Sequence, residues 1–230
     1  MKIYLKNINH YFLTVDTNGE RKKHMVDHFK EYNLTEVNPV AGLERNKSGA
    51  SGFAKMLDLG LKNQDSSKPF TPFVMYEDDC SKYREYPEFI NVPDDADVLY
   101  IGLSKYSMDK KEWHGGSYYT NINQDLIRIY NMLATHGIMV CSASGALAIQ
   151  KAMFEGYYKN VAWDVHLSQI QAYYNVYALK HPLVFQDSTY GGAEQATRFS
   201  LDTSIDSPLP KSYLNTSNVS ILTCCIPSKK

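Results

Sequence analysis

PFVMYEDDC, residues 72–80, is the stretch on which the fold turns. Phe73 to Tyr76 form a short apolar run, and Glu77, Asp78 and Asp79 follow without a spacer. A brief apolar run bounded by turn residues suits a fully buried strand. The three acids therefore stand where a strand leaves the core. Upstream, HYFLTVD (10–16) reads as another buried strand. GERKKHMVDHFKEYN (19–33) then sets Met25, Val26, Phe29 and Tyr32 on one helical face, with charge opposite. LTEVNPV (34–40) reads as a strand, and SGFAKMLDLGLKNQ (51–64) carries a second helical stripe of Phe53, Met56, Leu57 and Leu61. Residues 66–71 form a polar turn, and DVLYIGL (97–103) reads as a strand beyond the acids. Strands alternating with helices predict an α/β domain with a mostly parallel sheet flanked by helices.

The second half is less regular. Residues 104–124 read as loop, and segments 125–132 and 137–149 as strands forming a smaller antiparallel sheet. AMFEGYYKN (152–160) and VHLSQIQAYYN (165–175) read as short helices. VYALKHPLVFQ (176–186) is a last strand region, which Pro182 makes an edge or a broken strand. Residues 201–230, rich in Ser, Thr, Pro and Asn, read as a tail or linker, with further domains expected beyond it in a longer chain. Residues 1–200 then read as one domain, divided into halves at 1–103 and 104–200, with 201–230 outside it.

Of the 230 residues, 43% are hydrophobic and 21% charged, and the formal net charge is −1. That composition is ordinary for a globular domain and excludes collagen, wholesale disorder and a coiled coil. It also argues against a nucleic-acid partner held by bulk positive charge. Tyrosine outnumbers phenylalanine 18 to 9; its flat face and hydroxyl suit sugar recognition and half-buried packing alike. Lys6, Asn7, Asn9 and His10 interrupt any leader-like apolar core near the N-terminus. No run approaches the ~18 apolar residues of a membrane span. Cys80, Cys141, Cys224 and Cys225 form no C-x-x-C pair. These features predict a reducing, cytoplasmic compartment.

Acid-x-acid occurs twice, at Glu77-Asp78-Asp79 and at Asp95-Ala96-Asp97. Two carboxylates one residue apart in a turn suit a hard divalent cation, with room for diphosphate oxygens. They suit a solvated acidic turn as well. Position distinguishes the two motifs. The second enters a strand, whereas the first leaves one, and open α/β sheets bind ligands beyond the carboxyl ends of their strands.

The order of several segments resembles glycosyltransferase family 25, the lipopolysaccharide-type enzymes. YFLTVDTNGERKKHM (11–25), PVAG (39–42), KSGASGFAKML (47–57) and PFVMYEDD carry the resemblance in the first half. VLYIGL, HGIMVCSASGALAIQKAMFEGY (136–157), AWDVHL (162–167) and HPLVFQD (181–187) carry it in the second. The family's usual Ser-His pair in the second helix is absent; FAKML stands there. Some viral glycosyltransferase domains of this compact size are similar too.

The resemblance implies a GT-A-type, Rossmann-like domain with a nucleotide half and an acceptor half. It implies transfer from a nucleoside-diphosphate sugar, UDP-linked, to a hydroxyl of a glycan or glycoprotein, with Mn²⁺ or Mg²⁺ as cofactor; a base at Asp164 would serve inversion, and retention would need no such base. Asp79 is then the metal ligand, Glu77 a second ligand, and His181 a candidate third. Thr14, Asp16 and Asp78 fall where base and ribose are held, although each also suits a turn. Lys47, at a helix start, suits phosphate or solvent. Arg21 suits phosphate or, preferably, an acid on its own helix surface. Asp164 is the candidate general base, or an N-cap. Trp163, Gln186 and Asp187 are candidates for sugar or acceptor contact. His114-Gly115-Gly116 and Tyr190-Gly191-Gly192 suit loops that close over the site. The competing readings are a sugar nucleotidyltransferase, which would want a Gly-rich basic loop where TVDTNGERKK stands, and a non-catalytic carbohydrate-binding module.

Overall fold

The structure is a computed structural model that describes residues 1–15, 19–104 and 118–190. In chain order the strands and helices of the first half are β1 (Lys2–Tyr4), β2 (Asn9–Leu13), α1 (Glu20–Phe29), β3 (Asn33–Val37), α2 (Arg45–Lys62), β4 (Phe73–Tyr76), β5 (Cys80–Lys82), β6 (Phe89–Asn91) and β7 (Val98–Tyr100). The second half adds β8 (Tyr118–Asn121), β9 (Leu126–Tyr130), β10 (Gly137–Val140), α3 (Ala143–Lys159), α4 (Trp163–Ile170), β11 (Val176–Leu179) and β12 (Val184–Gln186).

Eight strands form one sheet in the order β3-β2-β4-β10-β7-β11-β9-β8. β2 pairs parallel with both β3 and β4, as the βαβ alternation requires. The sheet as a whole is mixed, not mostly parallel. β10 lies antiparallel between β4 and β7, and β9 lies antiparallel between β11 and β8. The separate antiparallel sheet expected from residues 125–149 does not form. β9 and β10 both join the large sheet, with β7 and β11 between them. Two two-stranded ribbons, β1 with β6 and β5 with β12, stand apart from it.

Period-2 alternation sorts the core into two layers. Tyr11, Leu13, Phe73, Met75, Val98 and Ile138 pack with Phe53, Met56 and Leu57 of α2 and with Ile149, Met153 and Leu167 of α3 and α4. Phe12, Val74, Tyr76, Leu99 and Met139 face the other way, against Met25 and Phe29 of α1 and against Ile3 and Ile90 of the β1–β6 ribbon. Full burial of side chains such as Met25 and Phe29 contributes about 1.5–3 kcal/mol each. Because α1 and α2 lie on opposite faces, the chain steps from β2 out to β3 and back over β2 to β4. A crevice opens between β2 and β4 at their carboxyl ends.

Several boundaries differ from the sequence reading. α2 begins at Arg45, six residues before the expected start at 51. Residues 143–149, expected as strand, open α3. Ser142 starts that helix: its Oγ accepts from the Gly145 amide at 2.9 Å and donates to Asp97 Oδ1 at 2.6 Å. Gly145 lets the helix rest on β7, since a Cβ there would overlap the Asp97 carbonyl oxygen. At Pro182 the last apolar stretch breaks into β11 and β12, which belong to different sheets. Among the described residues no helix is long and apolar enough to cross a membrane, and Cys80 and Cys141 are buried free thiols.

Candidate functional site

A cleft of about 460 Å³ lies at the β2–β4 crevice. Its walls come from four places: Leu13 and Val15 at the end of β2 and just past it, Glu77, Asp78 and Asp79 after β4, the first turns of α2, and Ala162, Trp163 and Asp164 at the start of α4. Arg21, Thr135 and Gln186 complete the polar lining. Four acids thus face two arginines, Arg21 and Arg45, in one crevice.

The acidic turn is held residue by residue. Asp78, 5% exposed, accepts at Oδ2 from the Val15 amide at 3.0 Å and at Oδ1 from Arg21 Nη1 at 2.8 Å. It therefore ties the exit of β2 and the first turn of α1 to the exit of β4. Glu77, partly buried, accepts at Oε1 from the Thr135 hydroxyl at 2.9 Å, and its amide donates to the His136 carbonyl at 3.2 Å. Asp79 is 7% exposed. Its Oδ2 accepts from Gln186 Nε2 at 2.9 Å, whereas its Oδ1 is buried without any hydrogen-bond partner.

Burial, and next the charge of Asp79, push the Glu77 carboxyl up to about 8. Burial also pushes Asp79 up to about 6; the bond from Gln186 opposes the rise, the charge of Asp78 adds to it, and Arg21 opposes it again. Two neighbouring carboxylates removed from water repel each other, and the pair titrates as a unit.

Asp95-Ala96-Asp97 supplies the contrast. Asp97 is 9% exposed, yet both its oxygens have protein donors: Ser142 Oγ at 2.6 Å and the Asn175 amide at 2.9 Å. Asp95 accepts from the Tyr177 hydroxyl at 3.1 Å. That motif is a latch between strands, and it leaves no carboxylate oxygen of Asp97 wanting a partner. In the Glu77–Asp79 turn one buried oxygen does. An oxygen-only donor pair with an orphaned carboxylate oxygen fits Mg²⁺ or Mn²⁺, which commonly take one or two carboxylates plus substrate phosphates. Among the described residues no group of three or more His, Cys, Asp or Glu side chains forms a metal-binding cluster.

Asp164 stands in the first turn of α4, and Ala162 is the N-cap. Its Oδ2 accepts from the Ala134 amide at 3.0 Å. Ala134 has φ 72° and Asn131 φ 61°, left-handed values uncommon outside glycine. Gln171 braces the same turn, accepting from the Met132 amide at 2.7 Å and donating to the Met132 carbonyl at 2.8 Å. Asp164 and Gln171 together hold the loop that presents Thr135 to Glu77. Trp163 lines the cleft from within the core, at 5% exposure, with its ring 4.6 Å from that of Phe53.

Glu77, Asp78, Asp79, Trp163, Asp164 and Gln186 therefore share one cleft. Four other candidates do not line it. Thr14 is buried and its amide donates to the Val37 carbonyl. Lys47 sits 3.8 Å from Glu44. His181 lies beyond the far end of β12, where its carbonyl accepts from Arg84 at 2.7 Å. Asp187 accepts from Ser81 Oγ and from the Thr189 amide, each at 2.9 Å, and its carboxyl is held below the usual range by those bonds against the effect of burial. Asp16 and the loops at 114–116 and 191–192 lie outside the described residues.

Arg21 pairs with Asp78 rather than with an acid of its own helix. Arg45, Asn46, Ser48 and Thr135 are cleft residues that the sequence reading passed over. An earlier helix start would have exposed the first three; Thr135 carries no local signal. A comparison with protein-family models finds no match, and a comparison with curated proteins finds none either.

Proposed function

We propose that the chain is a metal-dependent glycosyltransferase of GT-A type. It moves a sugar from a nucleoside diphosphate, UDP-linked, to a hydroxyl of a glycan or glycoprotein, with inversion. The observation that carries this reading is the buried, partnerless Oδ1 of Asp79 in a cleft at the carboxyl ends of two parallel strands. Glu77 and Asp79 are the residues to hold Mn²⁺ or Mg²⁺. When bound there, the cation supplies positive charge to a departing diphosphate.

The remaining roles fall to the chain's own groups. Arg45 and the opening turn of α2 line the same cleft, and no side chain caps that helix start. Its unsatisfied amides and the guanidinium attract phosphate oxygens. Asp78 keeps further lone pairs, beyond those used by Val15 and Arg21, for a ribose hydroxyl. Asp164 takes the proton from the acceptor hydroxyl as that oxygen attacks the anomeric carbon. The Ala134 amide fixes the aim of its carboxylate. Trp163 and Phe53 form the apolar wall beside it.

Thermal-shift screening of nucleotide sugars, with and without Mn²⁺, tests the proposal, since a ligand that binds only the folded state raises its melting temperature. A UDP-sugar that stabilises the protein only when Mn²⁺ is present supports transfer. Stabilisation by free sugars, with none by any nucleotide, favours a carbohydrate-binding module instead.

A further inference from the structure

Gln186 is set opposite the acidic turn by backbone pairing. β12 runs antiparallel to β5 with Gln186 in register with Cys80, and the next amide, of Asp187, donates to the Asp79 carbonyl at 2.7 Å. The side chain cannot drift far from the acids, because the ladder fixes its Cα beside them. Its Nε2 lies 2.9 Å from Asp79 Oδ2 and 3.3 Å from Glu77 Oε2, so a single amide nitrogen faces both carboxylates. Its Oε1 accepts no hydrogen bond from any described residue. The partial positive charge of the amide thus occupies the space between two acids, and the oxygen end is unused.

A glutamine amide is nearly two-fold in shape. Rotation about χ3 exchanges nitrogen for oxygen at little steric cost, since that torsion has a broad, roughly two-fold profile. With nitrogen inward the group donates to carboxylates. With oxygen inward it offers a neutral, hard ligand of the kind that divalent cations accept from Asn and Gln.

We propose that Gln186 is a two-position group on the Glu77–Asp79 pair: nitrogen-inward, it bridges the carboxylates of the metal-free protein, and oxygen-inward, it is the third oxygen ligand of the cation. This inference rests on the metal reading of the acidic pair. It explains how two carboxylates make a complete site without a third acid or a histidine. It also gives Gln186 a role other than contact with the sugar.

Two substitutions separate the two positions. Gln186→Leu removes both donor and ligand at similar volume. Gln186→Glu keeps an oxygen but loses the donor and adds charge. The probe is Mn²⁺ alone, titrated into nucleotide-free protein and followed by the electron paramagnetic resonance signal of free Mn²⁺. Melting of each protein in EDTA is measured in parallel, and circular dichroism establishes that each is folded. Gln186→Leu should weaken Mn²⁺ binding about tenfold, and Gln186→Glu should tighten it. Both should lower the melting temperature in EDTA, because each leaves the carboxylates unbridged. Mn²⁺ binding by the wild type that Gln186→Leu leaves unchanged overturns the assignment of Gln186 alone. A wild type that takes up no Mn²⁺ overturns the metal reading and this inference with it.

Discussion

Arg21 on α1 and Asp78 in the acidic turn meet in a 2.8 Å ion pair across 57 positions of sequence. The Asp78 side chain is 7% exposed and that of Arg21 30%. Partial burial makes this bond more consequential than the exposed pairs elsewhere on the surface. Arg21→Met leaves a buried carboxylate with only the Val15 amide. It should destabilise the protein by about 2 kcal/mol. A urea-denaturation cycle with Asp78→Asn should show coupling of about 1 kcal/mol or more; additive losses would mean that the pair does not act as a unit.

Stability should fall with rising pH in metal-free protein. The Glu77 carboxyl is raised from 4.5 to about 8, and that of Asp79 from 3.8 to about 6. A raised acid binds its proton more tightly when folded than when unfolded. Its contribution is complete below the unfolded value and is lost as pH climbs through the folded one. Melting in EDTA should therefore be highest below about pH 4 as far as this pair is concerned, and should decline from there up to about pH 8. A Mn²⁺ ion held by the pair, as proposed, would compete with those protons, so the Mn²⁺-induced rise in melting temperature should be larger at pH 8 than at pH 6. A rise that is equal at both values would separate the metal from these two groups.

Asp164→Asn and Asp164→Ala should differ. Asparagine retains an oxygen for the Ala134 amide, which holds the left-handed turn. It should fold normally while transfer falls by about 10²–10⁴. Alanine should lose activity as well and cost about a further 1 kcal/mol in stability. Parallel denaturation and turnover measurements check this. Transfer at wild-type rate in Asp164→Asn removes the base assignment.

Two helix glycines should respond in opposite directions. A Cβ at Gly145 would overlap the Asp97 backbone, so Gly145→Ala must lift α3 from β7 and should cost about 1–3 kcal/mol. A Cβ at Gly49 in α2 meets nothing, and Gly49→Ala should stabilise by about 0.8 kcal/mol. Melting of the two variants checks the placement of both helices.

Most of the first half was legible because its signals are local, whereas the three-residue strands β1, β5 and β6 are too short to carry a period and were not read. Phe53, Met56 and Leu57 announce a helix by spacing, and PFVMY announces a strand by its apolar run. The antiparallel insertion of β10 between β4 and β7 was not legible, since no local pattern says which strand lies beside which. GIMVCSASGALAI (137–149) misled for a related reason: a buried helix and a buried strand are both apolar throughout. The Ser142 cap and the alanines at 143, 146 and 148 were the available clue. In the cleft, the acids and Asp164 were readable as residue types at element ends. The start of α2 is polar and shows no hydrophobic period, so Arg45 and Asn46 were not legible as helix residues. Arg21–Asp78 and Gln186–Asp79 depend on contacts between distant segments, which only the folded chain brings together.

Calorimetric titration of UDP into the protein, with Mn²⁺ and then with EDTA, for wild type and Asp79→Ala, bears most directly on the proposed cation site. Wild type should bind UDP in Mn²⁺ and not in EDTA, and Asp79→Ala should bind it in neither. Equal UDP binding by Asp79→Ala and wild type in Mn²⁺ would rule out a cation held by Asp79.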